Sequence, residues 1–359
     1  PTHAGYKYNI LIICNYYKLW LPDCFIQIAL YLCKNLFLMK LTFTYLIIIA
    51  VILISACSSS ETIENKPEPT TKEELGELLF SDPILSQNNQ ISCASCHIPE
   101  FAFADTSKLS KGVDGKLGSR NTPSAMNMTD RSFFFHDGRS ETLEDQAAGP
   151  IENSVEMNLP IAEAIKRLNA DKNYKTYFKK IYKESPNRTN LLDAISSFER
   201  TLETGDTPFD RFMKKDKSAI SEAAKRGQKI FNEKGKCFDC HFGPDFTGDQ
   251  FRNIGLYNGK ELNDRGRSEI TKDSADVGKF KVPGLRNIAI TAPYMHNGMF
   301  QTLTEVIDYY DTPSAFVKGS INSDSLLSKP LGLTKEEKSD LLEFLHTLTD
   351  DRFSTSSKK

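Results

Sequence analysis

The chain has no surplus cysteine, a single tryptophan, no excess of charge of either sign and little strand-like alternation. Each shortage excludes something. A net charge of -2 provides no concentrated basic face, so nucleic acid is not an expected partner. Neither a G-x-x-x-x-G-K-S/T loop nor a G-x-G-x-x-G turn occurs, which removes nucleotide cofactors. What remains is helical. Leu75, Leu78 and Leu79 recur at helix spacing from Lys72 onward, and the same periodicity marks 161–183, 190–203 and 334–349, where Leu341, Leu342 and Leu345 share a face. The expected fold class is mostly α, and 359 residues, 39% of them hydrophobic, suffice for two domains.

The cysteines account for themselves one by one. Cys14, Cys24 and Cys33 fall in residues 1–38, a Tyr-, Leu- and Ile-rich stretch without methionine. The first methionine, Met39, opens a secretory pattern: Lys40, an apolar run from Leu41 to Ile54, then Ser55-Ala56-Cys57. Its ending resembles a bacterial lipobox, which implies cleavage before Cys57 and lipidation of its sulfur. The expected location is the periplasm, at the outer membrane, with membrane contact only through the lipid. As a spanning helix the run is short of the roughly 20 residues required. Residues 1–38 then read as a non-native leader upstream of the true start, 39–56 as the signal peptide, and the Ser-, Glu-, Pro- and Thr-rich 57–71 as a flexible tether. Four cysteines remain, Cys93, Cys96, Cys237 and Cys240, and none is left for a disulfide.

Those four lie in a repeat. Gly76-Glu77-Leu78-Leu79-Phe80 precedes Cys93-Ala94-Ser95-Cys96-His97, and Gly227-Gln228-Lys229-Ile230-Phe231 precedes Cys237-Phe238-Asp239-Cys240-His241. Two copies imply two related domains, divided near residue 206, where Gly205, Asp206 and Pro208 interrupt the helical pattern. The expected domains are 72–205 and 206–352, joined by long loops. C-x-x-C-H is the attachment pattern of c-type haem: each cysteine adds a thioether to one vinyl group and the histidine ligates iron. Zinc held by the two C-x-x-C pairs is the rival, disfavoured because histidine follows both pairs in an exported chain. The sixth iron position then decides function, since two protein ligands favour electron transfer and an open face admits peroxide. His136, His296, His346 and Met126, Met128, Met157, Met213, Met295 and Met299 are the unassigned candidates, and spacing alone does not choose among them.

Further segments carry a family likeness. They are Ser119-Arg120-Asn121-Thr122-Pro123, His136-Asp137-Gly138-Arg139, Glu144-Asp145-Gln146-Ala147-Ala148-Gly149-Pro150, Val155-Glu156-Met157, Lys281-Val282-Pro283-Gly284-Leu285-Arg286-Asn287 and Thr291-Ala292-Pro293-Tyr294-Met295-His296-Asn297-Gly298. In order and spacing the chain resembles the bacterial di-haem cytochrome c peroxidases and their MauG-like relatives. The resemblance implies two cytochrome c-like domains with two covalently bound haem c groups. It makes His97 the proximal ligand of a peroxide-binding first haem, with Gln146 and Glu156 on the distal side and Pro150 walling the pocket. A carboxyl such as Glu156 can take a proton from one peroxide oxygen and deliver it to the other.

The peroxidase branch has a capping histidine in the loop after the first motif. This chain has none between Ile98 and Asn121, so the first iron is expected open without reductive activation, as in MauG-like proteins. His241 would hold the second iron. Its partner falls on Tyr310, where MauG has Tyr and the peroxidases Met, with Met295 and Tyr309 as alternatives. The family commonly places a Trp between the haems; that position is His136, which would carry or gate electrons or simply fill space. One calcium is implied at Asn121, Thr291 and Pro293. The implied reaction is reduction of hydrogen peroxide with electrons from a small cytochrome c or cupredoxin. The alternatives are MauG-like oxidation of a protein or small molecule by a bis-ferryl haem pair, and a non-catalytic electron carrier. Family members are often dimers, so a homodimer is an expected assembly, though no interface is legible.

Overall fold

The computed structural model describes residues Glu68 to Phe353. The leader and signal readings, Cys57 and most of the tether lie outside the described residues. From Glu68 the chain forms one compact unit. Its main elements are α1 (Lys72–Ser81), α2 (Leu143–Glu152), α3 (Ile161–Ala170), α4 (Lys172–Tyr182), α5 (Arg188–Thr201), α6 (Pro208–Met213), α7 (Glu222–Asn232), α8 (Leu303–Asp311) and α9 (Lys335–His346). Among the described residues the only sheet is a two-stranded antiparallel ribbon, β1 (Phe251–Arg252) with β2 (Phe280–Lys281). No helix of the described residues is long and apolar enough to cross a membrane.

The helix expected over 161–183 is two helices. Asp171 adopts an extended backbone, and its carboxylate accepts the N–H groups of Asn173 and Tyr174 at 2.8 and 3.0 Å. It ends α3 and caps α4.

The sequence repeat is a structural repeat. Helix α1 crosses α5, and α7 crosses α9. At each crossing stands the repeat's glycine. A Cβ at Gly76 would lie 2.0 Å from the Ala194 carbonyl oxygen, and one at Gly227 would lie 1.9 Å from that of Asp340. Only a residue without a side chain lets the helices approach this closely. Next to each crossing the repeat's phenylalanine meets a partner ring edge-on, Phe80 with Phe198 and Phe231 with Phe344, at centroid distances of 5.2 Å in both. One apolar core gathers Leu75, Leu79, Ile151, Leu168, Phe178 and Leu191; a second gathers Phe231, Ile307, Tyr309, Leu341 and Phe344. Full burial of each such side chain stabilises by about 1.5–3 kcal/mol.

Long loops join the helices, and charges tie the two halves together. Arg120 makes a two-pronged contact with Asp264 at 2.7 and 2.9 Å and a third bond to Asp137 at 2.6 Å. Arg131 likewise reaches Asp245 of the second half at 2.9 Å, while within that half Arg286 grips Asp210 through two bonds of 2.9 Å.

Candidate haem-binding active site

Both C-x-x-C-H segments fold into the same tight turn. A single 3-10 turn, Cys93–Ser95 or Cys237–Asp239, brings the histidine N–H back to the first cysteine's carbonyl, at 2.9 Å for His97 and 2.8 Å for His241. Each ring is then aimed by a hydrogen bond. His97 Nδ1 lies 3.0 Å from the Phe103 carbonyl oxygen, and His241 Nδ1 lies 2.9 Å from that of Phe246. A carbonyl only accepts, so Nδ1 carries the proton and the Nε2 lone pair is left for a metal. Both phenylalanines have left-handed backbones, φ 56° and 54°, a strained choice that points each carbonyl at its histidine. Burial lowers both histidine pKa values, which keeps the rings neutral. None of the four cysteines of the motifs forms a disulfide, and burial pushes the Cys93 and Cys237 thiols up to about 12 and that of Cys96 up to about 11.

Both turns open onto one continuous cavity of about 760 Å³. The donors and the wall fit the haems that the motifs imply: paired thiols, a neutral imidazole beside them, and mostly apolar surroundings. Gln146, Pro150 and Glu156 all line this cavity, as the sequence anticipates. Glu156 is positioned through its backbone and its side chain alike. Its carbonyl accepts the Val113 N–H at 2.7 Å, and its Oε1 accepts the Asn153 amide at 2.6 Å. Gly112 lies so close that a Cβ there would sit 2.1 Å from the Val155 carbonyl oxygen. Burial raises the Glu156 pKa, while the Arg139 charge and the Asn153 bond oppose the rise.

The structure also sorts the ligand candidates of the second site. Tyr310 lines the cavity, and its phenol is pushed up by burial and then by Tyr309, Cys237 and Cys240. Tyr309 is fully buried and its hydroxyl donates to the Ile254 carbonyl, so that oxygen is already engaged. Met295 lines the cavity with φ 72°. Met213 and His346 are exposed.

Known proteins share both motifs' surroundings. The sequence model of the di-haem cytochrome c peroxidases matches residues 70–218, and that of cytochrome c matches 224–349. MauG of Methylorubrum extorquens is 36% identical over 291 residues, 79% of this chain and 80% of that protein. Cytochrome c551 peroxidase of Nitrosomonas europaea is 34% identical over 289 residues, 80% of this chain and 82% of that protein. The chain belongs to the di-haem cytochrome c peroxidase family.

As a member it is an oxidoreductase, and the family implies two haem c groups. Cytochrome c peroxidase Ccp of Escherichia coli is also 36% identical, over 79% of this chain, but the chain spans only 59% of that longer relative. Among solved structures, a MauG-like protein associated with microbial copper homeostasis superposes with TM-score 0.72 at 32% identity, covering 80% of this chain and 92% of that one. The di-haem peroxidase BthA of Burkholderia thailandensis, at 24% identity and TM-score 0.70 over 80% of this chain and 88% of that one, shares the fold.

Between the two haem turns of this family member lies a buried polar cluster. His136 Nε2 donates to the Asn121 carbonyl at 2.9 Å, and burial lowers its pKa to about 4. His296 stacks on Phe280 with centroids 3.7 Å apart, and its carbonyl accepts the Asn121 N–H at 2.7 Å. Asn121 donates its side-chain amide to the Ser107 and Lys108 carbonyls at 3.1 and 3.4 Å. The Thr291 and Pro293 carbonyls take no hydrogen bond from the described residues.

Two residues of the cavity wall escape sequence reasoning. Arg139 lies over the Phe135 ring at 3.4 Å, and its charge acts on Glu156. Glu199 is buried in the same wall. Arg139 sits inside a family motif without a role of its own. Glu199 carries no signal at all, since its place in the pattern is that of any acidic residue on an amphipathic helix.

Proposed function

We propose that the chain reduces hydrogen peroxide to water at the first haem site, with electrons that a small cytochrome c or cupredoxin delivers at the second. The observation that carries this reading is Glu156, fixed at the cavity wall with Gln146 and Pro150 while the loop from Ile98 to Asn121 offers no histidine to cap the iron. Haem bound at the two motifs supplies the iron that accepts peroxide and the path for electrons. Cys93, Cys96 and His97 would hold the first haem, and Cys237, Cys240, His241 and Tyr310 the second.

Glu156 as carboxylate takes the proton from the near oxygen of peroxide and returns it to the far oxygen as that bond breaks. The Gln146 amide orients the peroxide and Pro150 closes the wall. Arg139 and the Asn153 hydrogen bond oppose the rise of the Glu156 pKa that burial causes, and so favour its carboxylate form. Two electrons and two protons complete the conversion of one peroxide to two waters. Turnover of the holoprotein with a reduced donor is the test. No turnover in either the calcium-loaded or the pre-reduced protein rejects the reading.

Tyr310 favours a second reading, MauG-like oxidation of a protein or small molecule, because a phenolate ligand stabilises ferric and more oxidised iron. Oxidised residues in a co-purified partner would distinguish it. A resting spectrum with one high-spin ferric haem would exclude a mere electron carrier. For calcium, Asn121, Thr291 and Pro293 provide oxygen donors suited to a hard cation. His136 stands where an inter-haem relay would pass. Export to the periplasm and a lipid anchor at Cys57 complete the proposal; mass determination of the mature N-terminus tests both.

A further inference from the structure

Helix α5 carries a carboxylate that neither the haem motifs nor the distal pocket uses. Glu199 stands in the cavity wall, 7% exposed, and its Oε2 has no hydrogen-bond partner. Ser196 Oγ, three positions earlier and so on a neighbouring part of the same helix face, is buried and unpartnered too. Buried polar atoms are nearly always paired, so an orphan in a ligand cavity calls for a reason.

The surroundings narrow that reason. Burial pushes the Glu199 pKa up to about 8, with Arg200 pulling it down and Glu144 raising it. Arg200 and Glu144 pair with each other at 2.7 Å and act on Glu199 in opposite directions. Of the other packed elements, α1 carries Lys72, paired with Asp193 at 2.7 Å, and Glu73, Glu74 and Glu77. Helix α2 adds Asp145 and Glu152, while the charges that act on Glu199 are Arg200 and then Glu144. The Cys93 thiol feels Glu199 more than any other charge, ahead of Glu156. The carboxyl therefore stands near the sulfur that would fasten the first haem.

We infer that Glu199 is the proton-uptake site of the first haem, binding one proton from solvent when that haem gains one electron and releasing it on reoxidation. The step balances. The donor protein is oxidised by one electron, ferric haem becomes ferrous, carboxylate becomes carboxylic acid, and the charge of the site is unchanged. An electron added beside a buried carboxylate in a low-dielectric wall meets strong repulsion, which the proton removes. By linkage, protonation must favour reduction by the same free energy that reduction favours protonation. The inference rests on haem at the first motif, as in the function proposed above, and not on peroxide being the oxidant.

Spectroelectrochemical titration of the holoprotein over a series of pH values tests it. The first-haem midpoint potential should fall as pH rises through the neutral to alkaline range, by up to about 59 mV per pH unit, the one-electron equivalent of a tenfold change in proton concentration. Glu199→Gln should flatten the slope near the potential of the protonated wild type, whereas Glu156→Gln should keep it. A slope that survives in Glu199→Gln places the proton elsewhere, on a haem propionate for instance, and overturns the inference. Should that variant fail to load haem, redox-difference infrared spectra of the wild type decide. Reduction of the first haem should produce a carboxylic-acid C=O band that shifts in deuterated water, and its absence refutes the assignment. A missing slope alongside intact peroxide turnover sinks this inference alone, while lost turnover with the slope intact leaves it supported.

Discussion

Tyr309 and Tyr310 are neighbours on α8 with different tasks. The first spends its hydroxyl on the Ile254 carbonyl; the second turns to the cavity near Cys237 and Cys240. Burial holds the Tyr310 proton firmly, so only a bound cation would displace it, as metals do to coordinated groups. Tyr310→Phe should therefore convert the second haem from six-coordinate low-spin to high-spin, read by electron paramagnetic resonance, while both haems stay attached. For Glu156 the sign follows from its shift. A raised pKa keeps part of the carboxyl protonated, and the base form is the active one, so kcat/KM should rise with pH through a midpoint above the ordinary glutamate value of about 4.3. Glu156→Gln should lower turnover by roughly 10²-fold and abolish that limb, with haem content unchanged. Glu156 and Gln146 are legible in the sequence because family motifs carry them. Glu199 is not, because burial on α5 depends on how α1, α2 and the first haem turn close over it.

Each haem turn depends on a helix crossing. At Gly76 and Gly227 a methyl group would strike backbone oxygen at 2.0 and 1.9 Å, which side-chain repacking cannot relieve. Gly76→Ala and Gly227→Ala should each cost about 3 kcal/mol, at the upper end for an overpacked core. Chemical denaturation would show the loss, and each variant should loosen the histidine environment of its own half first. These glycines are visible in the sequence as a repeated G-x-x-L/I-F, yet their purpose is not, since the oxygens they meet lie 113 to 118 positions away in the chain, at Ala194 and Asp340. Helical periodicity locates the long elements well and misses the break at Asp171, a single carboxylate that caps rather than continues. Periodicity reports which face is buried; it does not report where a backbone N–H finds a different acceptor.

Across the whole molecule a few arginines join the halves, beside a small shared apolar cluster in which Phe353 packs with Phe80, Met126, Phe198 and Leu202. Arg120 bridges Asp137 and Asp264, with side chains 18%, 6% and 27% exposed respectively. Arg120→Ala would leave both carboxylates poorly compensated and should destabilise the protein by roughly 3 kcal/mol. Arg139 still bonds Asp137 at 2.9 Å and keeps the figure from rising further. Urea titration followed by haem absorbance would measure it. Arg120 belongs to a family motif, but Asp264 lies 144 positions away in a loop outside every motif, and such pairings are written in the fold alone. The segment between Ile98 and Asn121 is fastened in the same spirit: Val113 is sealed in the interior and bonded to the Glu156 carbonyl, with Gly112 wedged against Val155. Such a fastened segment, with no histidine to withdraw from an iron, would need no unlocking before peroxide binds. A rapid-mixing trace of the fully oxidised protein with peroxide should start at full speed with no lag, and the response to a sudden burst of oxidant would then be paced by the supply of electrons alone.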